Sequence, residues 1–149
     1  MSLYQRYRVD ESLEKAGAWV DFGEGIQFRL LGENSPRLRG LRGTLRKKYR
    51  QYLVSIDVPQ HIEDAMQIEQ ATAAIVDWRG VTDEAGAGLA YSPEAARKLM
   101  TDLRELRKDV LFASGSVDTF RPAEVVEALG KASSPSLSPA LSSGPTLPI

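Results

Sequence analysis

Residues 76–94 read VDWRGVTDEAGAGLAYSPE: a Trp closes an apolar run, an acidic and glycine-rich loop follows, and a Tyr stands directly ahead of a Ser-Pro-Glu helix start. The loop can be tested against known cradles for ions and phosphates. A calcium loop of the EF-hand kind needs acidic or amide ligands at alternate positions, a Gly at the sixth and a Glu at the twelfth, which this stretch does not supply. A phosphate-binding loop ends in Gly-Lys-Ser/Thr, and here the glycines lead instead to Leu89, Ala90 and Tyr91. A structural joint is the third reading, in which Gly80, Gly86 and Gly88 would let the chain turn back and Trp78 and Tyr91 would clasp its two ends. Ser92 caps the next helix, with Pro93 and Glu94 in its first turn.

Working outward from the joint, the spacing predicts a helix over about 93–113. It carries Ala96, Leu99, Leu103, Leu106, Val110 and Ala113 at alternating steps of three and four. Upstream, a helix over about 58–78 follows Asp57 as its cap and runs through Ile62, Ala65, Ile68, Ile75 and Val76. Glu63, Asp64 and Glu69 lie on its outside. A third helix, about 36–53, places Leu38, Leu41, Leu45, Tyr49 and Tyr52 on one face, while Arg37, Arg39, Arg42, Arg46, Lys47, Lys48 and Arg50 crowd the rest. Gly40 and Gly43 each weaken it by roughly 1 kcal/mol relative to Ala. Before it, AWVDFGEGIQFRL alternates around Gly23-Glu24-Gly25, so a β-hairpin is expected over about 17–31. A two-stranded ribbon is marginal in water, so its apolar face must lie on helices or its edge must pair with another chain. A short helix over about 122–130 ends at Gly130. Residues 132–149, rich in Ser and Pro and without charge, read as a flexible tail. The expected fold is mainly α: one domain over 1–131, a small bundle of about four helices with an N-terminal β-hairpin, then the tail.

The 149 residues include no Cys, which removes disulfides, thiolate nucleophiles and Cys-ligated metal sites. His61 is the only His, and it falls on the first turn of an acidic helix, where solvation is its ordinary state. No set of nucleophile, base and oxyanion donors converges, so neither catalysis, a metal nor a cofactor is expected. The N-terminus has no apolar signal core and no run is long enough to span a membrane; a soluble protein without a classical export signal is expected. The net charge of −1 hides a separation: residues 1–50 carry 11 basic and 6 acidic side chains, residues 51–149 carry 8 and 14. The basic helix at 37–50 admits two readings. It either contacts nucleic-acid phosphates or, through Arg42, Arg46, Lys47 and Arg50, meets an acidic protein surface.

One resemblance extends these readings. WVDFGEGIQFRLLG, the basic LRGLRGTLRKKYR, the Trp-containing IVDWRGVTDEAGAGLAYSPEAARKLM and LFASGSVDTF together resemble the tail assembly chaperones of long-tailed bacteriophages and prophages, over about Ala18 to Phe120. The specific part is W-x-G-V-x-D/E-x-x-G followed by Y/F-[ST]-P-E-x-A. Trp78, Gly80, Val81, Asp83, Tyr91, Ser92, Pro93, Glu94 and Ala96 occupy it. The stretch DEAGAGLAYSPE departs from that pattern in having Ala where a Lys or Pro is usual, and the Ser/Pro tail lies outside it. The resemblance implies a non-enzymatic protein of the host bacterial cytoplasm that binds the tape measure protein and keeps it soluble and extended. It also implies recruitment of the major tail tube protein, self-association along the client, and absence from the mature virion. Nucleic acid and membrane are not expected partners. Trp78, Tyr91, Leu99, Leu103, Leu106 and Val110 would then line a client groove. For Trp78 and Tyr91 a place in the core is the competing reading.

Overall fold

The hairpin forms as its alternation predicts. In the computed structural model, which describes residues 2–123, Val125 and Val126, β1 (Ala18–Asp21) pairs antiparallel with β2 (Gln27–Leu30), with Val20 opposite Phe28. The turn holds Gly23, Glu24 and Gly25 at φ of 89°, 54° and 79°, left-handed backbone that the two glycines adopt without a Cβ penalty. Two short helices precede it, α1 (Leu3–Tyr7), closed by a capping box between Ser2 and Gln5, and α2 (Glu11–Ala16), capped by Asp10. Neither shows in the sequence periodicity, because each is under two turns long.

The ribbon does not need another chain to complete its inner edge. Residues expected to finish the second helix leave it instead: α5 (Gln60–Ala74) stops, and β3 (Ile75–Arg79) pairs antiparallel with β2, giving the order β1-β2-β3. Ile75 and Val76 are β-branched and suit a pleated surface better than a helix end. The Leu31 N–H donates to the Ala74 carbonyl at 2.8 Å, and a register shift between Arg29 and Leu30 absorbs the change of direction. The start of α5 is also corrected. Pro59, not Asp57, holds the cap position, with no side-chain bond to the helix.

The basic helix is α3 (Pro36–Lys48), which breaks at Tyr49 and resumes as the single turn α4 (Arg50–Leu53). Beyond the joint, the long helix expected over 93–113 is two: α6 (Pro93–Asp102) and α7 (Arg104–Ser114), parted at Leu103. No Gly or Pro signals that break. Arg107 supports it from within. Its side chain, 2% exposed, donates to the Met100 carbonyl at 3.0 Å, to Asp64 at 2.9 Å and to Gln67 at 3.2 Å, so the end of α6 and the middle of α5 share one buried guanidinium. The planar fork of Arg suits three such acceptors, and the pairing offsets the cost of taking the charge out of water. A 3-10 turn (Val117–Phe120) follows, and it buries Phe120. Ala123, Val125 and Val126 are helical, where the last helix was expected; the remainder of that helix and the tail at 132–149 lie outside the described residues.

The fold is mostly helical with a small antiparallel sheet. Helix α5 is its centre, packed against α3, α6 and α7, while Phe28, Leu30, Ile75 and Trp78 carry the inner sheet face into the same core with Leu38, Ala71, Met100 and Val110. The outer sheet face is polar, and there Arg79 stacks over the Trp19 ring at 3.8 Å.

Two stability tests follow from this packing. A Cβ built on Gly40 or Gly43 of α3 meets nothing within 4 Å. Gly43→Ala is therefore expected to raise the unfolding free energy by about 0.5–1 kcal/mol in a urea titration, since only backbone entropy changes. Glu14, 7% exposed, packs its stem on the Gly32 backbone. Burial first, then Glu11 and Glu33, raise its pKa, with Arg39 opposing. Over the range between the ordinary carboxylate pKa and the raised one, the folded chain holds a proton that the unfolded chain has released, so stability falls as pH rises through it. Glu14→Gln is expected to match the wild type below the ordinary carboxylate range and to be the more stable at about pH 7, as read by urea midpoints at both.

Candidate functional site

The joint at 80–91 is built on Asp83. Its carboxylate accepts the backbone N–H groups of Ala85 and Ala87, both at 2.9 Å, while its own N–H donates to the Ala87 carbonyl at 2.8 Å. Thr82 and Gly88 form a bridge, and the Leu89 N–H donates to the Val81 carbonyl at 2.9 Å, so the loop is a miniature hairpin wound round one acid. One carboxylate oxygen, Oδ1, takes both N–H groups and so shapes the loop, and no group of three or more metal-ligating side chains gathers here or elsewhere among the described residues. Gly80 and Gly86 take φ of 73° and 87°; Gly88 is not in the left-handed region. At Gly80 the requirement is double, because a Cβ would lie 2.2 Å from the Gly25 carbonyl oxygen in the hairpin turn.

Trp78 and Tyr91 do clasp the two ends. Their rings meet edge-on at 5.2 Å, the Trp78 indole N–H donates to the Leu89 carbonyl at 2.7 Å, and the Tyr91 hydroxyl donates to the Ile75 carbonyl at 3.1 Å. Each aromatic thereby satisfies its polar atom while its ring packs. Burial, more than the opposing Arg37, pushes the Tyr91 phenol up, which keeps it a donor. Ser92 accepts the Ala95 N–H at 3.0 Å, Pro93 opens the helix and Glu94 is exposed in the first turn.

These contacts decide where the expected groove residues lie. Trp78 is 6% exposed and touches Phe28 edge-on at 5.9 Å; it is a core residue. Val110 is fully buried, and Tyr91, Leu99 and Leu106 are packed, partly buried, against the same core. Leu103 alone is turned out, 47% exposed, because the break between α6 and α7 carries it off the stripe. The stripe on α6 and α7 thus faces α5 and the sheet, and forms no open groove. The helical spacing read correctly which residues are apolar together, and it could not tell an inward face from an outward one.

A different surface is open. Arg46, Lys47 and Arg50 are exposed, and among the described residues none forms an ion pair, whereas Arg97, Arg104 and Arg107 all do. Arg42 donates to the Glu33 carbonyl. Between α3 and α4 lies a groove of about 420 Å³, lined by Gly43, Arg46, Lys47, Arg50, Leu53 and Val54. Just beyond it Ile56 is 100% exposed, and Val54 is 81% exposed. The charged face was legible in the sequence. Its apolar neighbours have a sequence signal too: in LVSIDV at 53–58, Val54, Ile56 and Val58 alternate shortly after the basic run.

The family model described as YdaY prophage protein matches residues 34–131. The chain belongs to that family. It is, on that ground, a phage or prophage protein. The match takes in α3 through α7 and the joint, and leaves the hairpin ahead of it. No curated protein and no solved structure matches the chain. Among the described residues no helix is long and apolar enough to cross a membrane.

The joint predicts its own sensitivity. Gly80→Ala should destabilise by several kcal/mol, since it sets a strained φ against a carbonyl it cannot avoid, and Asp83→Ala by only about 0.5–1.5 kcal/mol, because the two freed N–H groups are exposed and water takes the place of the carboxylate. Thermal melts of the two variants give the order. A Gly80→Ala protein as stable as the wild type would contradict the close approach to Gly25.

Proposed function

We propose that this prophage protein is a tail assembly chaperone, which binds the tape measure protein and keeps it soluble and extended until the tail tube closes round it. The reading joins two supports, the phage family and the Trp-Gly-Val and Tyr-Ser-Pro-Glu pattern that resembles such chaperones. The single observation that carries it is an apolar surface left outside the core, Val54 and Ile56, beside a cationic face on which Arg46, Lys47 and Arg50 form no ion pair among the described residues. A long, apolar, helical client needs greasy contact that is ringed by charge so that the chaperone itself stays dispersed. The action is non-covalent. Recruitment of the major tail tube protein, self-association along the client, residence in the host cytoplasm and departure before the virion matures all belong to the same proposal.

The alternative, a nucleic-acid-binding protein using 37–50, draws on the unpaired Arg46, Lys47 and Arg50 alone. Phosphates would gain nothing from Val54 and Ile56, which is why the chaperone reading is preferred. Co-expression with the tape measure protein of the same prophage, scored by the soluble fraction of that client, tests it. The double variant Val54→Ser, Ile56→Ser should weaken client binding at least about tenfold, because burying each such side chain is worth about 1.5–3 kcal/mol. Stability should move by no more than about 0.5 kcal/mol. A wild-type chain that leaves the client insoluble but binds random DNA with steep salt dependence would replace this reading with the alternative.

A further inference from the structure

The groove between α3 and α4 combines three features that the fold itself does not use. Its apolar lining is the half-buried Leu53 and the exposed Val54. Its rim is cationic: Arg46 and Lys47 in the last turn of α3 and Arg50 at the start of α4 flank it without an ion pair among the described residues. Gly43 of α3 lines it and Gly40 stands one turn before on the same helix, neither at a positive φ and neither with a neighbour within 4 Å of where a Cβ would stand. Glycine inside a helix is unfavourable, and no contact among the described residues demands it at these two places. A backbone lying against α3 from outside would demand it.

We infer that this groove receives an acidic amphipathic helix of the partner. Its backbone runs close over Gly40 and Gly43, its apolar face rests on Leu53 and Val54, and its carboxylates meet Arg46, Lys47 and Arg50. The inference rests on the chaperone reading for the identity of the partner, and adds the chemistry of the segment that is held. Carboxylates repeated every three or four residues along a helix would face the cations contributed by the end of α3 and the start of α4. A second copy of this chain is a poorer occupant, because on its acidic helix α5 two of the three carboxylates, Asp64 and Glu69, are already held by Arg107 and Arg97. A nucleic-acid strand would use the rim and leave the apolar lining and the glycines without a purpose.

The test uses the full chain and a fluorescein-labelled synthetic helix of about 20 residues, with Leu at steps of three and four and Glu on both flanks, read by anisotropy. Binding is expected, and a peptide with Lys in place of Glu should bind at least tenfold more weakly. Gly43→Leu should weaken binding by about tenfold, and Arg46→Glu with Arg50→Glu by more. Gly43→Ala should raise the melting temperature while weakening binding, a pair of opposite movements that general misfolding does not produce. Equal binding of the Glu and Lys peptides, or undiminished binding to Gly43→Leu, overturns the proposal. So does a dimer in sedimentation that Gly43→Leu dissociates, which would assign the groove to a second copy, or displacement of the peptide by equimolar duplex DNA. If the Glu peptide fails to bind while the wild type still keeps the tape measure protein soluble, this inference fails and the chaperone reading stands. If the peptide binds but the client is not kept soluble, the reverse holds.

Discussion

The pairing of Ile75–Arg79 with β2, the second strand of the hairpin, is the constraint on which the rest of this molecule depends. A free ribbon of four-residue strands is not stable in water, and an α5 extended by another turn would carry Trp78 away from the sheet. The pairing solves both problems. It completes a three-stranded sheet whose inner face is apolar, and it delivers Trp78 to Phe28 on one side and to Tyr91 on the other. The joint that follows then has to reverse direction under the hairpin turn, where only Gly80 fits against Gly25. One strand thus ties the hairpin to the span that the prophage family model covers.

The second organising interaction is the Arg107 guanidinium. It terminates α6 by taking the Met100 carbonyl and holds α5 through Asp64 and Gln67. With it the three helices behave as a unit, and without it a carboxylate and a helix-end carbonyl would be left in a partly buried setting, a far larger loss than any exposed ion pair on this surface represents. Its consequence for the surface is Leu103, pushed out of line at the break. The acidic side of α5 is largely spent on internal pairs in this way, while the basic side of α3 is not. That asymmetry is what gives the molecule one charged face looking for a partner.

Much of this was legible in the residues. The hairpin follows from alternation round Gly-Glu-Gly, the start of α6 from Ser92 and Pro93, the basic character of α3 from its composition, and the clasp of Trp78 and Tyr91 from the glycines between them. The end of α5 was not legible. Ile75, Val76 and Trp78 continue a helical spacing and an extended one equally well over so short a stretch, and the choice was made by the open edge of β2, which lies more than forty residues away in the chain. The break at Leu103 was hidden for a similar reason, because its support comes from Asp64 and Gln67 and not from any local breaker.

The candidate site divides along the same line. Sequence by itself determined which side chains are apolar together and where the positive charge lies, since periodicity and composition are local properties. Only the tertiary structure decided which apolar stripe is used up in the core and which stays open. Burial is a property of what packs on a face, and the stripe of Leu99, Leu106 and Val110 is covered by α5 and the sheet while Val54 and Ile56, beside the unpaired cations, are covered by nothing among the described residues.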